Sequence, residues 1–433
     1  MVLSACNDIP FLRTDYHQNN STTDVIFKVQ VPEGTRIENG LFLEILDEVT
    51  GLIMNPTRYQ LQPQTNNIYS ISIPLVIGSV VKYRYVRGGT PAMIEFTAQK
   101  SQVRYRLYQV TNSNEVEDLI SGWQDLPYQG DTGTIQGYIY DSLSNIPIAN
   151  VMVIVSGMRT FTMEDGSYTI SGIPSGKNRL DAYHVDGIYQ PFQQDAIIAH
   201  NSTTPANFVM LARKMVNVTF NVIPPKEENI VGAPIRLIGN LYNLGNSFLD
   251  LGGGVNVKAI NAPLLTYQSD GSYSITINLP AGHFLEYKYS LGDGFWNAEH
   301  NFDFSWRLRQ IFIPENDTVI NDSISSWKNS NDSPVTFNVN TPQNTPLSST
   351  LFIQLNPFAW MEPLPMWDLG NNQWTYTLYG PSEMITNSQY RFILNTQQNF
   401  VYDSATPKQN SSGIIIDSSQ SVINHSIQSW STP

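Results

Sequence analysis

The chain has 433 residues, only 14% of them charged, and a formal net charge of -13, a balance that argues against a nucleic-acid backbone or an anionic membrane surface as the main partner. Its single cysteine, Cys6, excludes an intrachain disulfide and any multi-cysteine zinc site. Abundant Asn, Ser, Thr, Gly and Pro, together with 22 tyrosines, favour turn-rich β structure over long helices.

At the start of the chain, Leu3-Ser4-Ala5-Cys6 resembles a bacterial lipobox, whose cysteine becomes the lipidated first residue of the mature protein. The resemblance implies lipidation at Cys6, membrane contact only through that anchor, and an extracellular, cell-surface location. A secretion signal needs a charged start and an apolar run of about 7 to 15 residues. Only five residues precede Cys6, so either the signal begins upstream of Met1 or the match is incidental. Residues 7–22 are polar and aperiodic and read as a flexible tether, which makes 1–22 lipobox plus tether. No later stretch supplies the roughly 18 consecutive apolar residues of a membrane span, so the body is expected to be soluble.

Internal repetition organises the remainder. An aromatic-basic-aromatic triplet occurs as Tyr83-Arg84-Tyr85, Tyr287-Lys288-Tyr289 and Tyr390-Arg391-Phe392. An isoleucine precedes a tryptophan by three positions in Ile120/Trp123, Ile324/Trp327 and Ile427/Trp430, and Val116, Ile320 and Ile423 lie four positions before those isoleucines. Three copies of one module follow, with a different segment between the first two. The expected fold is all-β: a tandem array of four antiparallel, immunoglobulin-like β-sandwiches.

Residues 23–127 form the first and most divergent copy. Its opening run, Val25 to Val31, has the period of two of a strand, and further strand-like runs fall at 41–45, 69–73 and 80–86. Residues 131–213 differ in kind. Gly137, Pro147-Ile148-Ala149-Asn150-Val151, Asp165-Gly166-Ser167-Tyr168 and Gly172-Ile173-Pro174-Ser175-Gly176 resemble the carboxypeptidase regulatory-like domain. That likeness implies a small transthyretin-like sandwich acting as a spacer or stabilising module. Almost no linker separates it from the next copy, so the second and third domains are expected to be stiffly joined.

Residues 214–329 are the clearest copy. Ile235 to Asn240, Leu244-Gly245-Asn246 and Glu286-Tyr287-Lys288-Tyr289, with the ending Arg309 to Trp327, resemble the starch-binding type of carbohydrate-binding module. Residues 334–433 repeat the pattern from Val335-Thr336-Phe337, and the polar run Lys328 to Ser333 reads as a hinge between the last two domains.

Starch-binding modules stack flat aromatic rings on sugars while nearby polar groups fix the hydroxyls. The resemblance therefore nominates Phe248 and Trp296, with Asn297 and Glu299 beside them, and in the last domain Trp360 or Trp367 with Phe400 and Tyr402. Trp123, Trp327 and Trp430 are expected in cores or domain junctions. Asp165 and Asp270 are expected in hairpin turns rather than as calcium ligands. No HExxH pair, Gly-x-Ser-x-Gly elbow or phosphate loop occurs, so neither enzymatic activity nor a cofactor or metal is expected. The main expectation is a non-enzymatic cell-surface protein that binds polysaccharide. The alternatives are a stalk or filament subunit capable of self-assembly, and the accessory region of a longer glycoside hydrolase.

Overall fold

A computed structural model describes residues 21–49, 56–111, 115–226, 230, 233–249, 257–292, 295–384, 388–396, 400–406, 413–416 and 421–431. Cys6 and nearly all of the tether lie outside these residues.

Strict alternation starts each repeat. In strand Thr22–Gln30, Val25, Phe27 and Val29 point inward while Asp24, Ile26 and Lys28 face out. Strand Met215–Ile223 buries Val216, Val218, Phe220 and Val222, and strand Val335–Asn340 buries Val335, Phe337 and Val339. A period of two leaves each strand one apolar face, which is covered by a second sheet. Among the described residues, eight sheets result, in four facing pairs along the chain, and the architecture is all-β apart from single turns of 3-10 helix.

The aromatic triplets are the inner lining of these pairs. Tyr83, Tyr287 and Tyr390 meet the first-strand phenylalanines edge-on: Phe27–Tyr83 at 5.0 Å and 67°, Phe220–Tyr287 at 5.2 Å and 68°, Phe337–Tyr390 at 5.0 Å and 63°. T-shaped pairs at this spacing are the favoured quadrupole arrangement. Trp123 and Trp327 are fully buried, and Trp430 is half-buried on strand Trp430–Ser431. Trp123 and Trp430 each donate Nε1 to a threonine hydroxyl in the same place of their repeats, Thr35 and Thr345, both at 3.3 Å.

One expectation needs correction, because the sandwiches are not purely antiparallel. Strands Glu115–Leu119, Thr318–Ser323 and Val422–Ser426 run parallel to the first strands, which places Val116 opposite Phe27, Ile320 opposite Phe220 and Ile423 opposite Phe337. Periodicity reports which face a side chain takes and carries no information on strand direction.

In the second sandwich, strand Ser167–Pro174 pairs with Thr132–Asp141 and is entered from strand Met158–Phe161 through the Asp165-Gly166 turn, where Gly166 has φ +74° and Asp165 Oδ1 accepts from Ser167 N at 3.0 Å. Asp270 holds the matching turn in the third, accepting from Ser272 N at 3.0 Å. Gly137 is a close-approach glycine: a Cβ there would lie 1.9 Å from the carbonyl oxygen of Ala206.

Candidate functional site

The residues nominated for sugar stacking in the third sandwich have no free ring face. Phe248 is 0% exposed, held between Tyr183 of the second sandwich (ring centroids 6.0 Å apart) and the Lys82 ammonium of the first, 4.8 Å above its ring. Trp296 is 1% exposed and packs edge-on against Phe295 at 4.9 Å. Asn297 is an inter-domain clamp: its Nδ2 donates to Thr377 O (2.6 Å), its Oδ1 accepts from Tyr379 N (2.7 Å), and its own N–H donates to Gly380 O (3.2 Å). One amide thus meets a donor and an acceptor on the fourth domain's backbone, groups costly to bury unpaired. In the fourth sandwich Trp367 is also buried, tilted against Tyr376 at 5.6 Å. Neighbouring domains thus occupy the surroundings of Phe248 and Asn297, while Trp296 and Trp367 are packed into the hydrophobic core.

Glu299 belongs to a buried ion network. Arg309 donates Nε to Glu299 Oε1 (3.0 Å), Nη2 to Glu299 Oε2 (2.8 Å) and Nη1 to Asp322 Oδ1 (2.7 Å), while the Tyr287 and Tyr289 hydroxyls donate to Asp322 Oδ2 at 3.1 and 2.8 Å. The first sandwich repeats this atom for atom. Arg106 reaches Glu95 (3.1 and 2.8 Å) and Asp118 (3.2 Å), and Tyr83 and Tyr85 donate to Asp118 at 2.7 and 2.9 Å. Strand register places Ile414 where Arg106 and Arg309 stand, Asp403 where Glu95 and Glu299 stand, and His425 where Asp118 and Asp322 stand. There the network shrinks to one contact, His425 Nε2 to Asp403 Oδ2 at 2.7 Å. The fourth copy is therefore the one that departs from the shared network.

Domain two decides the electrostatics of the first copy. Burial pushes both aspartates up. At Asp118 this is overcome by Arg106 together with Arg179 from the second sandwich, and its pKa falls below the ordinary value. Asp322 has Arg309 but also Glu299 beside it, burial prevails, and its pKa rises. Arg179 also donates to Tyr83 Oη (2.7 Å) and Leu107 O (2.8 Å), and Gln193 exchanges two 3.2 Å hydrogen bonds with the backbone of Gln109.

The first three sandwiches converge on one buried cluster: Leu46, Tyr105 and Leu107 of the first, Met152, Ile154, Tyr183 and Val185 of the second, and Phe248 of the third. Tyr242 N donates to Val185 O at 3.0 Å across the second and third. The proposed hinge at Lys328 to Ser333 is tied down instead, another correction. Asn329 Oδ1 accepts from Ser382 N and Oγ at 3.1 and 3.2 Å, and Ser330 Oγ lies 2.8 Å from Ser382 Oγ.

Beside the cluster is a cavity of about 880 Å3 whose walls include Asp47, Lys82, Tyr183, Arg213, His283 and Glu286. Glu286 is pushed up to about 7, first by burial and then by Asp47, with Gln310 (2.8 Å) and Lys82 pulling it down. Lys82 is itself paired with Glu48, Arg213 adds a second cation to the wall, and burial, then Arg213, lower His283 to about 3, which leaves it neutral. An acid that ionises near 7 when folded, against an ordinary 4.5, keeps its proton in the folded state across that interval. Stability therefore falls as pH rises through it. In thermal melts across about pH 5 to 8, the wild type should lose stability relative to Glu286→Gln as pH rises, a difference in which the opposite contributions of His184, His283 and His300, whose pKa values burial depresses, cancel. A Gln variant with the wild-type slope would reject Glu286 as the titrating group.

Sequence reasoning missed Arg106, Arg309 and Arg179. Aligned on their triplets, the repeats leave Arg106 and Arg309 one position out of register, so a one-residue gap was needed to superpose them, whereas Arg179 lies outside the repeat and leaves no periodic trace.

In the fourth sandwich Trp360 and Tyr402 are half-buried around a buried Arg391. The Arg391 guanidinium lies between Trp360 (4.0 Å) and Tyr402 (4.9 Å) and donates to Gln354 Oε1 at 2.7 Å, and Phe400 is exposed beside them. Among the described residues, no group of three His, Cys, Asp or Glu is placed to hold a metal ion, and no helix is long and apolar enough to cross a membrane.

No family model matches the chain, and no curated protein matches it. Among solved structures, it is similar to the TIE protein of Bacillus anthracis at 8% identity, over 95% of this chain and 76% of that one, with a TM-score of 0.19. It is similar to a streptococcal ancillary pilin at 12% identity, over 70% of this chain and 99% of that one, with a TM-score of 0.25. A family 15 glucoamylase from Hypocrea jecorina aligns over 29% of this chain and 20% of its own at 21% identity, with a TM-score of 0.20. TM-scores of this size assign neither a family nor a function.

Proposed function

We propose that the chain is a non-enzymatic structural protein: a stiff array of four β-sandwiches that serves as a stalk or scaffold, anchored at a bacterial cell surface through Cys6. The observation that carries this reading is the use of Phe248, Trp296 and Asn297. Residues in the order of a sugar platform are consumed as mortar between domains, and such packed, hydrogen-bonded joints resist bending. The anchor and the surface location are supported by the Leu3-Ser4-Ala5-Cys6 resemblance.

Small-angle scattering tests the stiffness. The wild-type profile should fit one fixed arrangement of sandwiches, and a variant carrying Asn297→Ala and Asn329→Ala should show a larger maximum dimension as the fourth domain swings free. A wild-type profile that only a flexible ensemble reproduces would overturn the reading.

A second reading, polysaccharide binding, is favoured by one observation confined to the fourth sandwich: Trp360, Phe400 and Tyr402 gather on one outer face. Retardation on native gels containing starch, glycogen or a β-glucan, lost in Trp360→Ala, would establish it.

A further inference from the structure

We propose that the cavity between the first and third sandwiches binds a small amphipathic carboxylic acid, its carboxylate held by Arg213 and the Tyr183 hydroxyl and its apolar body lying along the first sandwich. The proposal goes beyond the structural reading above and rests on the fixed packing of the first three sandwiches that it requires.

The space is built by three domains. The first sandwich supplies Ile71, Ile73 and Val80, the second Tyr183 and Arg213, and the third Phe284, around a volume of about 880 Å3. A volume of that size takes a small organic ligand, and junctions between domains are where such sites concentrate. Arg58, Gln60, Ser72 and Pro74 also line it and are exposed, so the rim is open to solvent.

Neighbouring polar groups on this wall lack partners. The Arg213 guanidinium donates Nη1 to Ala281 O at 3.2 Å, and among the described residues no carboxylate comes within ion-pair distance of it. Burial lowers its pKa and outweighs the pull of Tyr183 and Glu315. The other cations of the wall are taken, Lys82 by Glu48 and Arg58 by Glu44. Tyr183 is 4% exposed, yet among the described residues its hydroxyl makes no hydrogen bond. Burial raises its pKa and Arg213 is the first charge to oppose that rise, which makes guanidinium and hydroxyl near neighbours. His283, its ring 6.3 Å from that of Tyr183, is also buried and leaves Nε2 without a partner. Buried polar groups are ordinarily satisfied, and an unpaired guanidinium calls for an anion.

The acids of the wall do not fill that role. Glu48 pairs with Lys82, Asp47 Oδ1 accepts from Val49 N at 2.8 Å, and Glu286, which burial keeps protonated up to about 7, accepts from Gln310 at 2.8 Å. An entering carboxylate therefore meets an uncommitted cation and an uncommitted hydroxyl donor, with aliphatic wall beyond them. Ile71, Ile73 and Val80 give a polyhydroxylated ligand nothing to bond, whereas an alkyl chain laid on them removes both apolar surfaces from water.

Isothermal titration calorimetry of the full chain tests this with decanoate and with decyltrimethylammonium, both below the concentrations at which they form micelles. Decanoate should bind once per chain, and the ammonium, with the same body and the opposite charge, should not. Tyr183→Phe, which removes only the hydroxyl, and Arg213→Gln should each weaken decanoate by about tenfold or more, the worth of a hydrogen bond to a charged group. Arg213→Lys should recover part of that loss. Tyr183→Phe decides the matter if Arg213→Gln lowers the melting temperature. Equal binding of the ammonium, or decanoate affinity unchanged in a variant that melts like the wild type, would overturn the proposal, since apolar burial alone would then account for the uptake. No decanoate binding by a chain whose scattering fits the fixed array would sink the site alone, whereas a flexible chain that binds nothing would sink the stalk reading beneath it.

Discussion

Arg309→Met is expected to destabilise the third sandwich by about 3–5 kcal/mol, the cost of leaving a buried ionic partner uncompensated. The guanidinium lies between two carboxylates with almost no access to water, Glu299 and Asp322, and bonds both. Methionine restores the volume and none of the charge, so two buried carboxylates must shed their charge or unfold their surroundings. Without the cation Asp322, whose pKa burial already raises, takes up its proton at higher pH still in the folded state. The deficit relative to wild type should therefore shrink as pH falls toward the ordinary carboxylate range and be largest near neutrality. Replacing all three members, Arg309→Met with Glu299→Gln and Asp322→Asn, should recover part of the loss, because the charge and not the space is missing. Chemical denaturation of the full chain, followed by tryptophan fluorescence, reads these differences. A loss below about 1 kcal/mol, the size of a surface ion pair, would show that water reaches the network. Arg106→Met should cost less at the aspartate, because Asp118 still faces Arg179 across the first joint.

Phe248→Ala should cost about 3–5 kcal/mol in the first unfolding transition and leave glycan retardation unchanged. Its ring is the third sandwich's contribution to the cluster where three domains meet, with the Lys82 ammonium over one side and Tyr183 against it. Truncation removes that contact with no neighbour free to collapse inward, because each belongs to a different sheet. The affected transition should be that of the joint, so calorimetry should resolve wild-type melting into more than one step in the variant, and scattering should show the first sandwich displaced from the third. Loss of binding to a polysaccharide with the joint intact would instead restore Phe248 to the stacking role its sequence position suggests.

Much of the fold was legible in the residues themselves. The alternation in Val25 to Val31, Val216 to Val222 and Val335 to Val339 reports a strand with one buried face, and Asp165-Gly166 and Asp270-Gly271 mark turns that need positive φ. The spacing of triplet, isoleucine and tryptophan identified a module used three times. Each of these signals is local: side-chain direction in a strand and backbone conformation in a turn depend on a few adjacent residues.

Everything that required two distant segments was settled by tertiary structure. The closing strands pair in parallel because of where the chain returns, which periodicity does not encode. Arg106 and Arg309 find carboxylates 11 and 10 residues before them and 12 and 13 after, while Asp118 receives Arg179 from another domain. The widest divergence concerns Phe248, Trp296 and Asn297 against Trp360, Tyr402 and Phe400. All six read alike as aromatic or polar residues near a sheet surface. Whether such a surface meets a ligand, a neighbouring domain or water depends on how whole sandwiches pack, and no residue carries that information in its own neighbourhood.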